Sequence, residues 1–242
     1  MKENTTSRPF IPFPTPLVRG RFIKREKRFL AHMELESGER VIAHCANTGS
    51  MRGSLREGAP TLMWDSENPK RKYTLSWKAI QLDNTWVGID TSLPNALAAE
   101  AISLGFIAPL SGHETIQRER KISEGSRIDI YLTDGAGADC YVEVKNVTLV
   151  EGGVARFPDA VTTRGLKHLG ELIKKVSKGE RAAMVYVVQR SDGRSFIPAD
   201  DIDPAYGARL REAAEKGVEL YALSTEVSEK GVVATGLLPI HL

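Results

Sequence analysis

Asp129, Glu143 and Lys145 are the residues of this 242-residue chain whose types and spacing carry chemistry. They lie within S-R-I-D-I-Y-L-T-D-G-A-G-A-D-C-Y-V-E-V-K-N, residues 126–146. Two carboxylates brought together can hold a hard divalent cation, Mg²⁺ or Mn²⁺, which prefers oxygen ligands and keeps several waters. Such an ion polarises a phosphate and makes a bound water more acidic. A lysine two residues beyond the second acid lies on the same face of a strand. There it can orient that water or offset charge in the transition state. The chemistry in view is phosphodiester hydrolysis. An isolated Glu-Val-Lys is just as well the solvated face of a strand, so the case rests on where Asp129 falls.

Alternation supplies that position. Ile128, Ile130 and Leu132 alternate with Arg127, Asp129 and Tyr131, and Cys140, Val142 and Val144 alternate with Tyr141, Glu143 and Lys145. Both runs have the period of two of a β-strand. Asp134-Gly135-Ala136-Gly137-Ala138 between them reads as a turn. A hairpin symmetric about Ala136 sets Asp129 opposite Glu143, Tyr131 opposite Tyr141 and Arg127 opposite Lys145. Directly opposed side chains sit roughly 5 Å apart at Cβ. Opposed carboxylates repel, which favours a cation or a shared proton between them. A bulge would break the match.

Asp129 followed by Glu143-Val144-Lys145 resembles the D…(D/E)-x-K signature of the PD-(D/E)xK restriction-endonuclease-like superfamily, with Ile128 in place of the proline of that name. The blocks around Gly20–Leu30, His44–Met51, Asn68–Lys72, Ser126–Asp129, Tyr141–Leu149 and Phe157–Leu169 closely resemble the sugar fermentation stimulation protein A family. That resemblance implies an OB-fold-like N-terminal barrel, a restriction-endonuclease-like C-terminal domain and DNA binding. The superfamily likeness also implies the main-chain carbonyl of Val144 as a further metal ligand, beside Asp129 and Glu143. It offers Glu100 as an auxiliary acid on a preceding helix, with Glu114 as the alternative.

The elements that position these groups divide the chain in two. Between Leu17 and Ile89 there are strand patterns at 17–24, 28–35, 40–46, 59–65, 73–82 and 85–90, and no long helix. Several short strands in so short a span fit a small barrel; pattern alone leaves its type open, and the resemblance selects an OB fold. Beyond Pro94 helices and strands alternate, an α/β core. Asn95 is positioned to cap a helix to Leu104, and strands follow at 114–121, 126–133 and 139–149. A helix is expected over 162–178, then a buried strand over 182–188. Pro204–Lys216 reads as a helix capped by Asp203, and Val218–Ser224 as a strand. The expected class is α/β, in an α+β two-domain arrangement: a barrel over 1–92 and a mixed sheet flanked by helices over 93–242. Residues 1–16, polar and then proline-rich, read as an arm.

Composition agrees with a soluble, cytoplasmic protein. Apolar residues make up 41% and charged residues 26%, with only two cysteines, Cys45 and Cys140, and no long apolar run. The formal charge of +2 conceals an asymmetry, +5 over residues 1–95 and −3 over 96–242. The excess lies in Arg19, Arg21, Lys24, Arg25, Lys27 and Arg28 and in Lys70-Arg71-Lys72, interleaved with Phe22, Phe29, Tyr73 and Trp77. Cations among aromatics are how OB folds hold single strands, although a core of aromatics with a solvated rim gives the same pattern. Asn47-Thr48-Gly49-Ser50 either hugs a phosphate or turns the chain.

In the second half Arg164 and Lys167 are expected to contact phosphate. Asp159 caps the following helix or joins the site, His168 is packed or functional, and Gln189 ends a strand or touches nucleic acid. The expected partner is DNA, single-stranded or branched, with RNA still open, bound through its backbone and without a membrane. The oligomeric state is not encoded in any of these patterns. Two functions remain open from sequence: a metal-dependent nuclease, or a non-catalytic DNA-binding regulator linked to sugar (maltose) use.

Overall fold

The structure, a computed structural model, describes residues 8–123, 126–133 and 139–242. The turn expected at 134–138 and the start of the arm, 1–7, lie outside them. Strand β1 (Phe10–Pro12) is followed by β2 (Leu17–Glu26), β3 (Leu30–Leu35), β4 (Arg40–His44), β5 (Pro60–Asp65), β6 (Leu75–Leu82) and β7 (Thr85–Gly88). Then come α1 (Leu93–Ser103), β8 (Thr115–Ser123), β9 (Ser126–Thr133), β10 (Cys140–Val147), β11 (Leu149–Glu151) and β12 (Val154–Phe157). The chain ends with α2 (Thr163–Val176), β13 (Arg181–Val188), β14 (Ser195–Pro198), α3 (Pro204–Glu215), β15 (Glu219–Ser228) and β16 (Gly231–Leu238).

Strands β2 to β6 close into a five-strand barrel, because β4, at one end of the order β4-β3-β2-β5-β6-β7, also pairs with β6. Its core is Phe22 stacked on Trp77, 5.1 Å between centroids, with Met33, Met63 and Ile80 around them. Phe22 and Trp77 are therefore core, whereas Phe29 is exposed.

The second part is a mixed sheet in the order β1-β16-β15-β13-β10-β9-β8, with β10, β13 and β15 parallel at its centre. Both faces are covered, so β13 reads as an uninterrupted apolar run. α1 packs over Ile130, Leu132, Val142 and Val144 on one face. α2 and α3 cover Tyr131, Tyr141, Met184 and Tyr186 on the other. The fold class is the one expected. β1 is a difference: instead of a free arm, Phe10–Pro12 pairs with β16 at the far edge of this sheet. Strands β11, β12, β14 and β16 had no expected counterpart. No helix among the described residues is long and apolar enough to cross a membrane.

Helix ends follow capping rules. Thr162 accepts from Gly165 N at 3.0 Å, and Asp203 accepts from Tyr206 N at 3.0 Å, as expected of an N-cap. α1 differs. It begins at Leu93 with Ser92 as N-cap and proline in its first turn, so Asn95 lies inside the helix. Proline at that point is preorganised for helix entry, and the side chain of Asn95 is released for another task.

Candidate hydrolytic site

The hairpin register places the site. Cys140 pairs with Leu132, Tyr141 with Tyr131 and Val142 with Ile130, the expected symmetry. The ladder then ends one pair short of Asp129 and Glu143. Ile128 packs on the α2 face, with Tyr131, although Ile130 packs on the α1 face. The strand changes face at Asp129. Across from it on β8, Glu119 has φ of 55°, a left-handed conformation uncommon outside glycine. Beside this irregularity the β9–β10 ladder is interrupted, and the Asp129 side chain takes the place of the missing pairing. Its Oδ2 accepts the Val144 N–H at 2.8 Å in place of a ladder bond, and its Oδ1 accepts from Asn95 Nδ2 at 3.0 Å. A strand residue directs its N–H and C=O to the same neighbour, so the Val144 carbonyl opens toward Asp129 as well.

Glu143 and Lys145 stand together on the α2 side. Lys145 Nζ donates to Glu143 Oε1 at 2.5 Å, and His168 Nδ1 contacts the same oxygen. His168 Nε2 accepts from Arg164 Nε at 3.3 Å. With the proton on Nδ1 the imidazole donates to Glu143, and its Nε2 can accept from Arg164. Arg164, Lys167 and His168 share a helical face through i, i+3 and i, i+4 spacing.

These elements enclose a cavity of about 550 Å³ lined by Glu119, Asp129 and His168, with Lys121, Arg127, Arg164 and Lys167 around them. Those four cations form no ion pair among the described residues. Lys121 and Arg127 are directly opposed across β8 and β9, a like-charge pairing that costs stability unless an anion bridges it.

The electrostatics separate the two acids. Burial, reinforced by the nearby charge of Glu143, pushes Asp129 up to about 6. Burial also acts to raise Glu143, but His168 and Lys145 outweigh it and hold its carboxyl below the ordinary value. Glu143 is held ionised by its neighbours, whereas burial and Glu143 raise Asp129 by more than Lys145 and its two hydrogen bonds lower it, the condition under which a cation is welcome.

Other expected residues lie elsewhere. Glu100 is five residues beyond Asn95 on α1, roughly 140° around the helix, and does not line the cavity. Glu114 precedes β8, about 15 Å from Glu119 along the strand direction. Asp159 does not cap α2. It accepts from Ser50 Oγ at 2.9 Å and Met51 N at 2.8 Å, tying the second part to a barrel loop. Gln189 is fully buried, donates to Asn146 Oδ1 at 2.7 Å, and so cannot reach nucleic acid. Much of the barrel's basic stretch is engaged internally. Arg19 pairs with Glu229 at 2.6 Å, Arg21 donates to Gly58 O at 2.9 Å and Lys24 pairs with Glu26 at 2.5 Å. Arg25 donates to the carbonyls of Asn47, Gly49 and Ser50 at 2.8–3.2 Å. Arg71 reaches Ser76 Oγ at 3.2 Å and Lys72 lies over Tyr73. Lys27, Arg28 and Lys70 have no side-chain partner among the described residues.

Asn95 and Glu119 are the residues sequence reasoning missed. Asn95 Nδ2 also reaches Glu119 Oε1 at 3.2 Å, so one amide holds both carboxylates of the cavity. Outer-shell partners of this kind typically cost 10–100-fold in metal affinity when removed. Asn95→Ala is expected to weaken divalent-cation binding by about that factor, read by calorimetric titration. Unchanged affinity would make the contact purely structural.

Fold and site together define the class: an OB barrel joined to a helix-flanked mixed sheet with an acid–acid–lysine centre. Comparisons agree. The family model "Sugar fermentation stimulation protein RE domain" matches residues 92–231, and "SfsA N-terminal OB domain" matches 23–89. A sugar fermentation stimulation protein homolog of Geotalea uraniireducens is 50% identical over 229 residues, 95% of this chain and 99% of that protein. One of Citrifermentans bemidjiense is 52% identical over 229 residues, with the same coverage. The solved structure of Pyrococcus furiosus SfsA in complex with Ca²⁺ superposes with a TM-score of 0.86 at 27% identity, covering 98% of this chain and 100% of that one. The chain belongs to the sugar fermentation stimulation protein family.

Proposed function

We propose that this protein binds nucleic acid, DNA in the first instance, over the Asp129 cavity and hydrolyses a phosphodiester there with a divalent cation, Mg²⁺ or Mn²⁺. The observation that carries this reading is the juxtaposition of a half-buried carboxylate, raised by burial and by Glu143, with four unpaired cations in one cavity. Carboxylates alone would repel a polyanion, and cations alone would bind it without chemistry.

The residues fit a hard cation. No three His, Cys, Asp or Glu side chains among the described residues stand close enough to cage an ion unaided. An ion of the Mg²⁺ type keeps several waters and needs only one or two carboxylates. Asp129 would hold it with Glu143 and the Val144 carbonyl. The Pyrococcus furiosus relative is described as a complex with Ca²⁺, another oxygen-preferring ion. When bound, such a cation supplies a more acidic water and charge for the phosphate oxygens. Arg164, Lys167, Lys121 and Arg127 orient the backbone by their charge. Lys145, released from Glu143, stabilises negative charge at the phosphoryl group. His168 holds Glu143 in place.

A second reading, retention without cleavage as a regulator of sugar use, is favoured by one observation: Glu143 Oε1 is already occupied by Lys145 and His168. Single-stranded, duplex and branched DNA and RNA, incubated with Mg²⁺ or Mn²⁺, separate the two. Hydrolysis by the wild type with a loss of about 10²–10³-fold in Lys145→Ala supports the enzyme. Binding of every substrate with cleavage of none supports the regulator.

A further inference from the structure

We propose that the cavity between the barrel and the mixed sheet is a nucleotide subsite, seating one unpaired nucleotide of the strand that crosses Asp129. The inference rests on the nucleic-acid reading above and specifies its substrate. The cavity is about 420 Å³, within the range of small-ligand sites. Arg28 lines it from the turn between β2 and β3 and has no acidic partner among the described residues. Two buried polar residues also line it, Asn47, 7% exposed, and Thr148, 5% exposed. Asn47 Oδ1 is taken by Gly49 N at 2.9 Å. Its Nδ2 and the Thr148 hydroxyl have no hydrogen-bond partner among the described residues. Both residues are more than nine-tenths buried and line the cavity, so these two groups are open to a ligand seated there. Phe157, Pro158 and Val161 give it an apolar side. A cation, unpaired hydrogen-bonding groups and an apolar wall match a phosphate, a base edge and a base face.

The walls are held from both domains. Asp159, which also lines the cavity, is held by Ser50 and Met51 and fixes the barrel loop against the second part. Arg25 holds the 47–50 loop through its three carbonyl contacts. The placement relative to the first cavity sets the path. Thr162 lines this cavity and caps α2, and the next turn of that helix presents Arg164 and Lys167 to the other. Asn146, which also lines it, directly follows Lys145. A strand leaving the Asp129 cavity across the first turn of α2 therefore enters the interdomain cavity, and a base seated there is out of any duplex stack.

The test uses a short fluorescent single strand, its duplex and a mononucleotide, titrated into the full chain without divalent cation. Arg28→Gln, Thr148→Val and their combination are compared with Arg19→Ala on the barrel, whose guanidinium is paired with Glu229 of the β15–β16 turn. The single strand is expected to bind more tightly than the duplex, and the combined variant to lose about tenfold in affinity, the effect of one charge-assisted contact. Thr148→Ser should restore the hydroxyl's share, and unchanged melting temperatures show the variants folded. Wild-type affinity in the combined variant, with binding still lost in Arg164→Ala/Lys167→Ala, would overturn the subsite alone. A mononucleotide bound as tightly as the strand would overturn its assignment to a strand. Binding of neither strand nor duplex by the wild type would remove the nucleic-acid reading itself.

Discussion

Replacing Asp129 with asparagine is expected to abolish cation-dependent hydrolysis and to flatten the pH dependence of stability between about pH 4 and pH 6. Activity should fall by about 10³-fold or more, because the variant loses the carboxylate placed between the Val144 amide and Asn95 at the centre of the site. The stability effect has a definite sign. Asp129 moves from an ordinary value of 3.8 to about 6 in the native protein, through burial first and the charge of Glu143 second. Between those values the native state keeps a proton that the unfolded chain has released. Stability therefore falls as pH rises through that window and stays at the lower level above it. The difference corresponds to about 3 kcal/mol at most.

The asparagine variant has no proton to lose at this position. Its melting temperature, followed by calorimetry from pH 4 to pH 7, should lack the wild type's decline across that range. Mg²⁺ or Mn²⁺ should recover the lost stability above pH 6 in the wild type only. A ligand at a hundred times its dissociation constant contributes about 2.7 kcal/mol. Affinity for the cation should likewise rise with pH up to about 6 and then level, since the ion competes with the proton on Asp129. Parallel melting curves for the two proteins, with and without cation, would remove Asp129 from the centre of the site.

How far the site could be read from the chain depends on whether its cause is local. The hairpin was legible because Ile130, Leu132, Cys140 and Val142 keep strict alternation, and the Tyr131–Tyr141 pairing follows from it. α3 was legible because Asp203 stands at its start and Gly217 just beyond its end, and α2 from its late lysines and Gly179, although its cap is Thr162 and not Asp159. The departures have non-local causes. Glu119 lies in Gln117–Lys121, a charged run that reads as a solvated strand, and a positive φ at a non-glycine leaves no trace in composition. Asn95 resembles a cap by type, yet Pro94 and Ser92 start the helix earlier. β1 has three residues, one of them proline, and exists only because β16 offers an open edge more than two hundred residues away. The same distance hid the partner of Arg19, Glu229, so a stretch that looks uniformly available for phosphate is mostly spoken for.

The largest purely structural effect is expected at the junction of the two parts, in Lys78→Met. Lys78 Nζ and Asp90 Oδ2 are 2.5 Å apart, with side chains only 9% and 7% exposed. The lysine also lies over the Trp64 ring, 5.3 Å from its centroid. Asp90 Oδ1 accepts from Ser92 N at 2.9 Å and from Ser92 Oγ at 2.6 Å, at the residue that caps α1. One carboxylate thus joins the last barrel strand to the helix that carries Asn95. Burial works to raise the Asp90 carboxyl, but Lys78 and Ser92 together bring it below its ordinary value. Its stabilising contribution is therefore present at neutral pH and lost as pH falls through that depressed value. Removing Lys78 leaves a buried charge without a partner, a change that typically costs about 3–5 kcal/mol. Adding Asp90→Asn should recover much of that loss, because the amide needs no counter-charge and its oxygen can still accept from Ser92. Denaturant unfolding of the two variants decides the matter. A double variant no more stable than Lys78→Met would show that the loss comes from the ammonium's contact with Trp64 rather than from the stranded carboxylate.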